Sequence, residues 1–159
     1  IRAYELVKAS PDAPADFNHM TEEILEEIDG IPESVRRRVI FIIRESESVR
    51  EAVSALNSGE LLAFSRIVNR SHEGLRDRFE ISCPELDWLV KRALEFIVPD
   101  VQELICSRMT GRGFGGCTYA VIKSQDSAQY AHKLDEYERI FGFKPVQYPV
   151  VPSDGARVL

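Results

Sequence analysis

Hydrophobic residues recur with a helical period along the middle of the chain. Between residues 33 and 57 they are spaced by three, four or seven positions, which places them on one stripe of a long helix. The stripe consists of Val35, Val39, Ile42, Val49, Val53 and Leu56. Residues 57–59 (Asn-Ser-Gly) are typical of a helix end, and a second amphipathic pattern runs over residues 61–75. The two segments predict an antiparallel helical hairpin whose apolar stripes face a core.

Shorter helices are predicted on either side of the hairpin. Residues 21–28 form a short helical pattern that ends at Gly30. After the hairpin, Ser82, Pro84 and Glu85 indicate a helix start, because the Ser82 hydroxyl can accept a free amide near Glu85 and proline is tolerated in the first turn. The apolar face of this helix continues to residue 97. Residues 1–20 hold no sustained period and predict an irregular lead-in.

The last third of the chain changes to a β-type pattern. Residues 104–109 and 118–122 are short runs that predict two strands, one on each side of a glycine-rich stretch. Residues 128–141 then predict a helix with Ala131, Leu134 and Ile140 facing inward, and residues 146–151 predict a further strand.

This order of elements predicts an α+β fold, in which helices, the hairpin among them, cover a small and mainly antiparallel sheet. A chain of 159 residues is long enough for one such domain and too short for two ordinary ones. We therefore expect a single domain over residues 1–159. It would have an irregular lead-in at 1–20, a mainly helical part at 21–99, and strand, loop, strand, helix and strand over 100–159.

Composition removes several classes of protein. The chain is 44% hydrophobic and 29% charged, which is typical of a soluble globular protein, and no apolar run approaches the roughly 18 residues of a membrane helix. The net charge of -6 argues against nucleic acid as a partner, and we interpret Arg36, Arg37 and Arg38 as a solvated helix face. Three cysteines without CxxC spacing and three scattered histidines predict no disulfide framework and no metal site, and they favour a cytoplasmic location.

Four of the nine glycines lie between Gly111 and Gly116. Such clustering costs conformational entropy on folding, so it needs a reason. The reason can be geometric, a tight connection whose backbone visits positive φ. It can also be chemical, since successive backbone amides without Cβ atoms can form a concave nest for a phosphate. The pattern alone leaves both open, because it is neither GxGxxG at the start of a helix nor GxxxxGK[ST].

The residue string SRMTGRGFGGC, from Ser107 to Cys117, resembles the third signature of the galactokinase branch of the GHMP kinases (galacto-, homoserine, mevalonate and phosphomevalonate kinases). Three other passages resemble the same branch in the same order along the chain. They are Ser71-His72 with Leu75-Arg76-Asp77, then Ser82-Cys83-Pro84-Glu85-Leu86-Asp87, then Pro152-Ser153-Asp154-Gly155-Ala156-Arg157. Four matches in order argue against chance.

The resemblance implies a kinase with an amino-terminal domain, a carboxy-terminal α+β domain and an active site in the cleft between them. Such enzymes transfer the γ-phosphoryl group of ATP, with magnesium, to the 1-hydroxyl of galactose. The third signature would place a loop at this cleft, where its backbone amides would help to bind ATP. The residues carried over are Thr110, Gly111, Arg112, Gly113, Phe114, Gly115 and Gly116.

Other parts of the family's machinery belong to the first domain and have no counterpart in this sequence. These are the sugar signature, the phosphate-cradling loop and the catalytic aspartate. Asp77, Asp87 and Asp154 are interpreted as cap, salt-bridge or turn residues, so no catalytic residue is expected here. The hypothesis is that the chain is part of a longer sugar kinase and is inactive alone. Its partners would be its own amino-terminal domain, which would bind most of the ATP and magnesium, and galactose or a related sugar.

Two residues depart from the family pattern. Arg112 stands where the family has a small residue. If this position needs positive φ, arginine carries a strain cost of about 1 kcal/mol. If it does not, the guanidinium could lie at the rim of a phosphate cleft and pair with a phosphate oxygen, or Arg112 could be a tolerated surface substitution. Cys106 stands where glycine is common and is interpreted as a buried strand residue. These changes motivate a second hypothesis, a non-catalytic galactokinase-like sugar sensor. A free-standing interaction module is the third.

Overall fold

The computed structural model describes residues 5, 8–9, 13–14, 19–98 and 103–154. The chain divides into two compact units, residues 1–123 and residues 124–159, which are described in turn. Within the described part, no helix is long and apolar enough to cross a membrane.

The first unit contains the short helix α1 (Glu22–Glu27) and the long helix α2 (Glu33–Asn57). The Thr21 side chain accepts the N–H of Ile24 at 3.3 Å, which satisfies one free amide at the start of α1. A buried apolar cluster joins the two helices: Met20, Leu25, Ile28, Val39 and Ile43. Arg36 donates to the carbonyl oxygens of Leu25 and Ile28 at 2.5 and 3.0 Å, so α2 caps the end of α1.

The neighbouring basic residues of α2 pair with an acidic side chain of the same unit. Arg37 Nη2 and Arg38 Nη2 lie 2.7 and 2.8 Å from the two carboxylate oxygens of Glu80. The hydrogen bond from Arg38 and the charge of Arg37 hold the pKa of Glu80 below its ordinary value. These arginines are half-exposed and paired, in keeping with their interpretation as part of a helix surface.

Helix α3 (Leu61–Asp77) follows α2 after residues 58–60, and the two helices pack together as the predicted hairpin. Gly74 permits the close approach, because a Cβ at this position would lie 2.4 Å from Cε2 of the Phe41 ring. Phe41 also belongs to a second buried cluster, which links the hairpin to the following helix and strand: Phe41, Leu75, Leu86 and Met109.

The predicted burial of the long stripe on α2 is only half right. Val35 and Val39 pack in the first cluster, but Val49, Val53 and Leu56 are 59%, 53% and 48% exposed. Helix α1 is six residues long and reaches only the N-terminal half of α2, whereas α3 meets the face that carries Phe41. Neither helix therefore buries the C-terminal half of the stripe.

Helix α4 (Pro84–Leu94) precedes an antiparallel pair, β1 (Cys106–Thr110) and β2 (Cys117–Val121), in which Arg108 lies opposite Tyr119. Pro84 occupies the first turn as predicted. The predicted cap is wrong, because the N-cap residue is Cys83 without a side-chain cap bond. The Ser82 hydroxyl donates instead to Asp87 Oδ1 at 2.5 Å. The small antiparallel sheet packed against helices confirms the α+β prediction.

The second unit begins with a 3-10 turn at Ser124–Asp126, followed by α5 (Ser127–Lys133) and α6 (Asp135–Phe141). The single predicted helix over 128–141 is thus two helices that meet at Leu134, and Tyr130 and Tyr137 are buried whereas Ile140 is exposed. The strand predicted over 146–151 is not formed, since described residues 143–154 carry neither helix nor strand. A strand needs a ladder partner, and none is assigned to this segment.

Candidate active-site loop

The residues predicted to form the site lie together on the surface. Thr110 ends β1, and residues 111–116, here called the glycine loop, connect it to β2. All seven predicted residues are exposed or half-exposed, so the loop is outside the core of its unit.

The backbone of the glycine loop is left-handed at nearly every position. The φ angles of Gly111, Gly113, Gly115 and Gly116 are +92°, +85°, +131° and +104°. Phe114 adopts +59°, a conformation that costs a non-glycine residue about 1 kcal/mol or more. Arg112 is not among the residues at positive φ, so it does not carry the strain considered above, and its side chain is exposed. The geometric reason for the clustered glycines is therefore real.

A backbone contact holds the middle of the loop against the segment between α3 and α4. Phe114 N–H donates to the carbonyl oxygen of Ile81 at 2.7 Å. A Cβ on Gly113 would lie 2.5 Å from this oxygen and 2.8 Å from Ile81 Cβ. The Phe114 side chain is 75% exposed. Nothing in the sequence pattern singled out Ile81, because its role is carried by its backbone.

The strand leading into the loop is fixed by side chains of α3. Asn69 Oδ1 accepts the N–H of Ser107 at 3.0 Å, and His72 Nδ1 accepts the N–H of Met109 at 3.3 Å. The Ser107 hydroxyl donates to the Tyr119 carbonyl at 2.8 Å, which ties β1 to β2. His72 was noticed only as part of a family-like passage, and Asn69 was missed altogether.

Charged and titratable groups around β1 are largely engaged within the fold. Arg108 Nη1 lies 3.1 Å from Glu45 Oε1, and the same oxygen accepts the Ser71 hydroxyl. Cys106 is fully buried, as predicted, and burial raises the pKa of its thiol to about 11. The exposed guanidinium of Arg112 is therefore the cation that the loop itself presents.

The aspartates of the family-like passages have structural partners. Asp77 forms a salt bridge with Arg76 at 2.7 Å, and this hydrogen bond lowers the pKa of Asp77. Asp87 accepts the Ser82 hydroxyl and faces His72. In the described residues, no group of three or more His, Cys, Asp or Glu side chains is arranged to hold a metal ion.

Comparison with known proteins identifies the class. The family model described as "GHMP kinases C terminal" matches residues 52–137, which include α3, α4, both strands and the glycine loop. The chain therefore belongs to the GHMP kinase family and corresponds to its C-terminal domain.

The similar proteins with curated names are galactokinases. The chain is 62% identical over 159 residues to a putative galactokinase of Treponema pallidum, covering all of this chain and 40% of that protein. It is 37% identical over 144 residues to the galactokinase of Clostridium acetobutylicum, covering 89% of this chain and 36% of that protein. The human galactokinase is also 37% identical over 144 residues, with 88% and 35% covered. The chain thus spans about 35–40% of the length of these relatives.

A solved structure supports the fold. The crystal structure of Lactococcus lactis galactokinase complexed with galactose matches with a TM-score of 0.71 and 23% sequence identity, covering 90% of this chain and 38% of that one. At this level of identity the match shows a shared fold.

Proposed function

We propose that this chain is the C-terminal part of an ATP-dependent sugar kinase that converts ATP and galactose to ADP and galactose 1-phosphate. The observation that carries the proposal is the glycine loop, whose left-handed backbone lies at the surface. A hydrogen bond from Phe114 N–H to the Ile81 carbonyl oxygen holds this loop in place. Its relatives named galactokinase extend well beyond the part that this chain matches. The cleft would therefore form between this loop and a domain supplied by the rest of the kinase.

In this proposal the loop contributes backbone N–H groups rather than reactive side chains. Phosphoryl transfer depends on positioning and charge stabilisation, for which fixed amides are suited. Arg112 adds an exposed guanidinium that can pair with a phosphate oxygen at the rim of the cleft. ATP and magnesium would be held mainly by the other domain, because Asp77 and Asp87 are occupied structurally.

The exposed stripe on α2 favours this proposal over a free-standing interaction module. Val49, Val53 and Leu56 leave apolar surface uncovered within the described residues. A domain evolved to stand alone would be expected to present polar groups at such positions. The sugar-sensor hypothesis rests on Arg112 and Cys106, and it predicts that the intact protein binds galactose without efficient turnover.

The test is a coupled kinase assay on the intact protein with ATP, magnesium and galactose. Gly111→Ala is the loop variant, since Gly111 has φ +92° and open space around it. Gly59→Ala is the matched control, because Gly59 has φ +72°, equally open space and a place in the α2–α3 connection. We expect kcat/KM to fall about tenfold or more in the loop variant and to change less than about twofold in the control.

Three results would contradict the proposal in different ways. Equal activity losses in the two variants would remove the loop from the site. Galactose binding without turnover by the unaltered protein would favour the sensor. Micromolar binding of ATP–magnesium by the 159-residue chain alone, measured by isothermal titration, would show that the nucleotide site does not depend on another domain.

A further inference from the structure

The edge of β1 that faces away from β2 is occupied by side chains of α3. Consecutive residues of a strand direct their N–H groups to opposite edges, so Ser107 and Met109, two residues apart, share one edge. Asn69 and His72 accept these two amides at 3.0 and 3.3 Å. The acceptors are three residues apart on α3 and therefore lie on the same face of the helix. A helix thus takes the place that a neighbouring strand would otherwise have.

This contact fixes the chemical state of His72. Its Nδ1 accepts a hydrogen bond and must be unprotonated, so the proton of the neutral ring is on Nε2. Nε2 faces Asp87 Oδ1 at 3.3 Å, an electrostatic contact without hydrogen-bond alignment, and the same oxygen accepts the Ser82 hydroxyl. The ring is 2% exposed, and its burial lowers the pKa of His72 against the raising effect of Asp87. His72 therefore joins β1 to the start of α4.

The intervening residue of β1 is held by the other helix of the hairpin. The Arg108 guanidinium pairs with Glu45 on α2 at 3.1 Å, and Glu45 also accepts the Ser71 hydroxyl. Three consecutive residues before Thr110 are consequently tied to the hairpin. The next residues along the chain form the glycine loop, so any displacement of β1 is passed directly to its amides.

We propose that Asn69 and His72 are positioning residues, which set the place of β1 and thereby the place of the glycine loop at the cleft. Their effect on catalysis rests on the proposed function, whereas their effect on the loop does not. A different role would be to block a free sheet edge against aggregation. That role requires the same contacts but predicts no effect on the loop once the protein is folded.

The first experiment detects the key hydrogen bond in the unaltered, intact protein. In a ¹⁵N-labelled sample we expect a trans-hydrogen-bond coupling between the Met109 amide nitrogen and His72 Nδ1. The imidazole ¹⁵N shifts should be those of the neutral Nε2–H tautomer at pH 7. A protonated ring, or the Nδ1–H tautomer, would overturn the proposal without any substitution being made.

The second experiment uses paired substitutions in the intact protein. His72→Leu removes the acceptor, whereas His72→Gln keeps an acceptor oxygen; Asn69→Leu and Asn69→Asp form the same pair. Ser65→Ala is the control, because the Ser65 hydroxyl is buried on the same helix and forms no hydrogen bond to β1. The readouts are amide exchange at residues 111–116, kcat and KM, each taken on samples shown to be folded.

We expect His72→Leu to accelerate exchange of the loop amides and to lower kcat about tenfold, with partial recovery in His72→Gln and little change in Ser65→Ala. A variant with lower thermal stability but unchanged loop exchange and unchanged kcat would overturn the proposal. Asn69 and His72 would then serve only to block the free edge of β1. If the leucine variants do not fold, the positioning role is tested by the ¹⁵N measurement and by His72→Gln and Asn69→Asp. If the unaltered protein lacks kinase activity, the proposed function fails, while loop exchange still decides the positioning role.

Discussion

Gly113 is the position where the glycine loop should be least tolerant of a side chain. In Gly113→Ala the new Cβ would meet the Ile81 carbonyl oxygen at 2.5 Å and Ile81 Cβ at 2.8 Å. The loop must then move away from Ile81, which lengthens or breaks the 2.7 Å hydrogen bond from Phe114 N–H to the Ile81 carbonyl oxygen. Gly111→Ala is the control, since Gly111 has a similar φ, +92° against +85°, and nothing within 4 Å of its Cβ position.

The two variants share the same conformational terms. Alanine at positive φ costs about 1–2 kcal/mol, partly offset by about 0.4–1 kcal/mol from the less flexible unfolded chain. These terms cancel in the difference between the variants. What is left is overpacking, about 1–3 kcal/mol, and the net loss of a hydrogen bond, about 0.5–1.5 kcal/mol. A movement of the loop relieves the overpacking against Ile81 but breaks the hydrogen bond from Phe114, so the two costs are not both incurred in full. We therefore expect Gly113→Ala to be less stable than Gly111→Ala by about 1–3 kcal/mol.

Urea unfolding followed by circular dichroism measures this difference, and amide exchange at Phe114 reports whether its hydrogen bond survives. We expect faster exchange at Phe114 in Gly113→Ala alone. Equal destabilisation of the two variants, with Phe114 protected in both, would refute the reasoning, because it would mean that the loop does not rest on Ile81.

Three other predictions concern the rest of the first unit. Gly74→Ala should gain about 1 kcal/mol of helix propensity but lose more from contact with the Phe41 ring, for a net loss of about 1 kcal/mol by urea unfolding; the loss should vanish in a Phe41→Leu background. The lowered pKa of His72 means that the unfolded chain binds more protons, so its contribution to stability is present above pH 6.5 and is lost as pH falls toward the folded-state pKa. Thermal midpoints between pH 7.5 and 5.5 should therefore fall more in the unaltered protein than in His72→Gln, and equal slopes would contradict this. Exposed Cys117 should react with a thiol reagent at pH 8 well before Cys106, whose pKa is about 11, and early labelling of Cys106 would count against its burial.

Local patterns predicted the helices better than the surfaces they bury. The apolar period and the stop at residues 57–59 gave α2 its observed bounds, because helix formation depends on neighbours in sequence. The same period could not show that Val49, Val53 and Leu56 lack cover, since cover depends on how far α1 and α3 extend in space. The third predicted strand failed for a related reason, because alternation does not supply a ladder partner.

The break within the last helical pattern had a local signal that was overlooked. His132 and Lys133 end α5, and Asp135, Glu136 and Glu138 occupy the first turn of α6. Basic residues are favoured at a helix C-terminus and acidic residues at an N-terminus, so this order of charges indicates two helices. The apolar period runs through both and conceals the break.

The glycines of the loop do not all have the same explanation. Gly113 is required by contact, because its Cβ would strike Ile81. Gly111 and Gly115 have left-handed backbones but open space around them, and Phe114 shows that this loop accepts a non-glycine residue at φ +59°. The angles at Gly111 and Gly115, +92° and +131°, lie beyond the range that Phe114 adopts, so a side chain at either position is strained despite the open space. No atom outside the adjacent residues lies within 4 Å of a Cβ position at Gly111 or Gly115, whereas Ile81 contacts the loop at Gly113. Contact with Ile81 thus explains the glycine at position 113, and positive φ explains those at positions 111 and 115. Under the proposed function, the open space beside Gly111 and Gly115 would also let a phosphate approach the backbone.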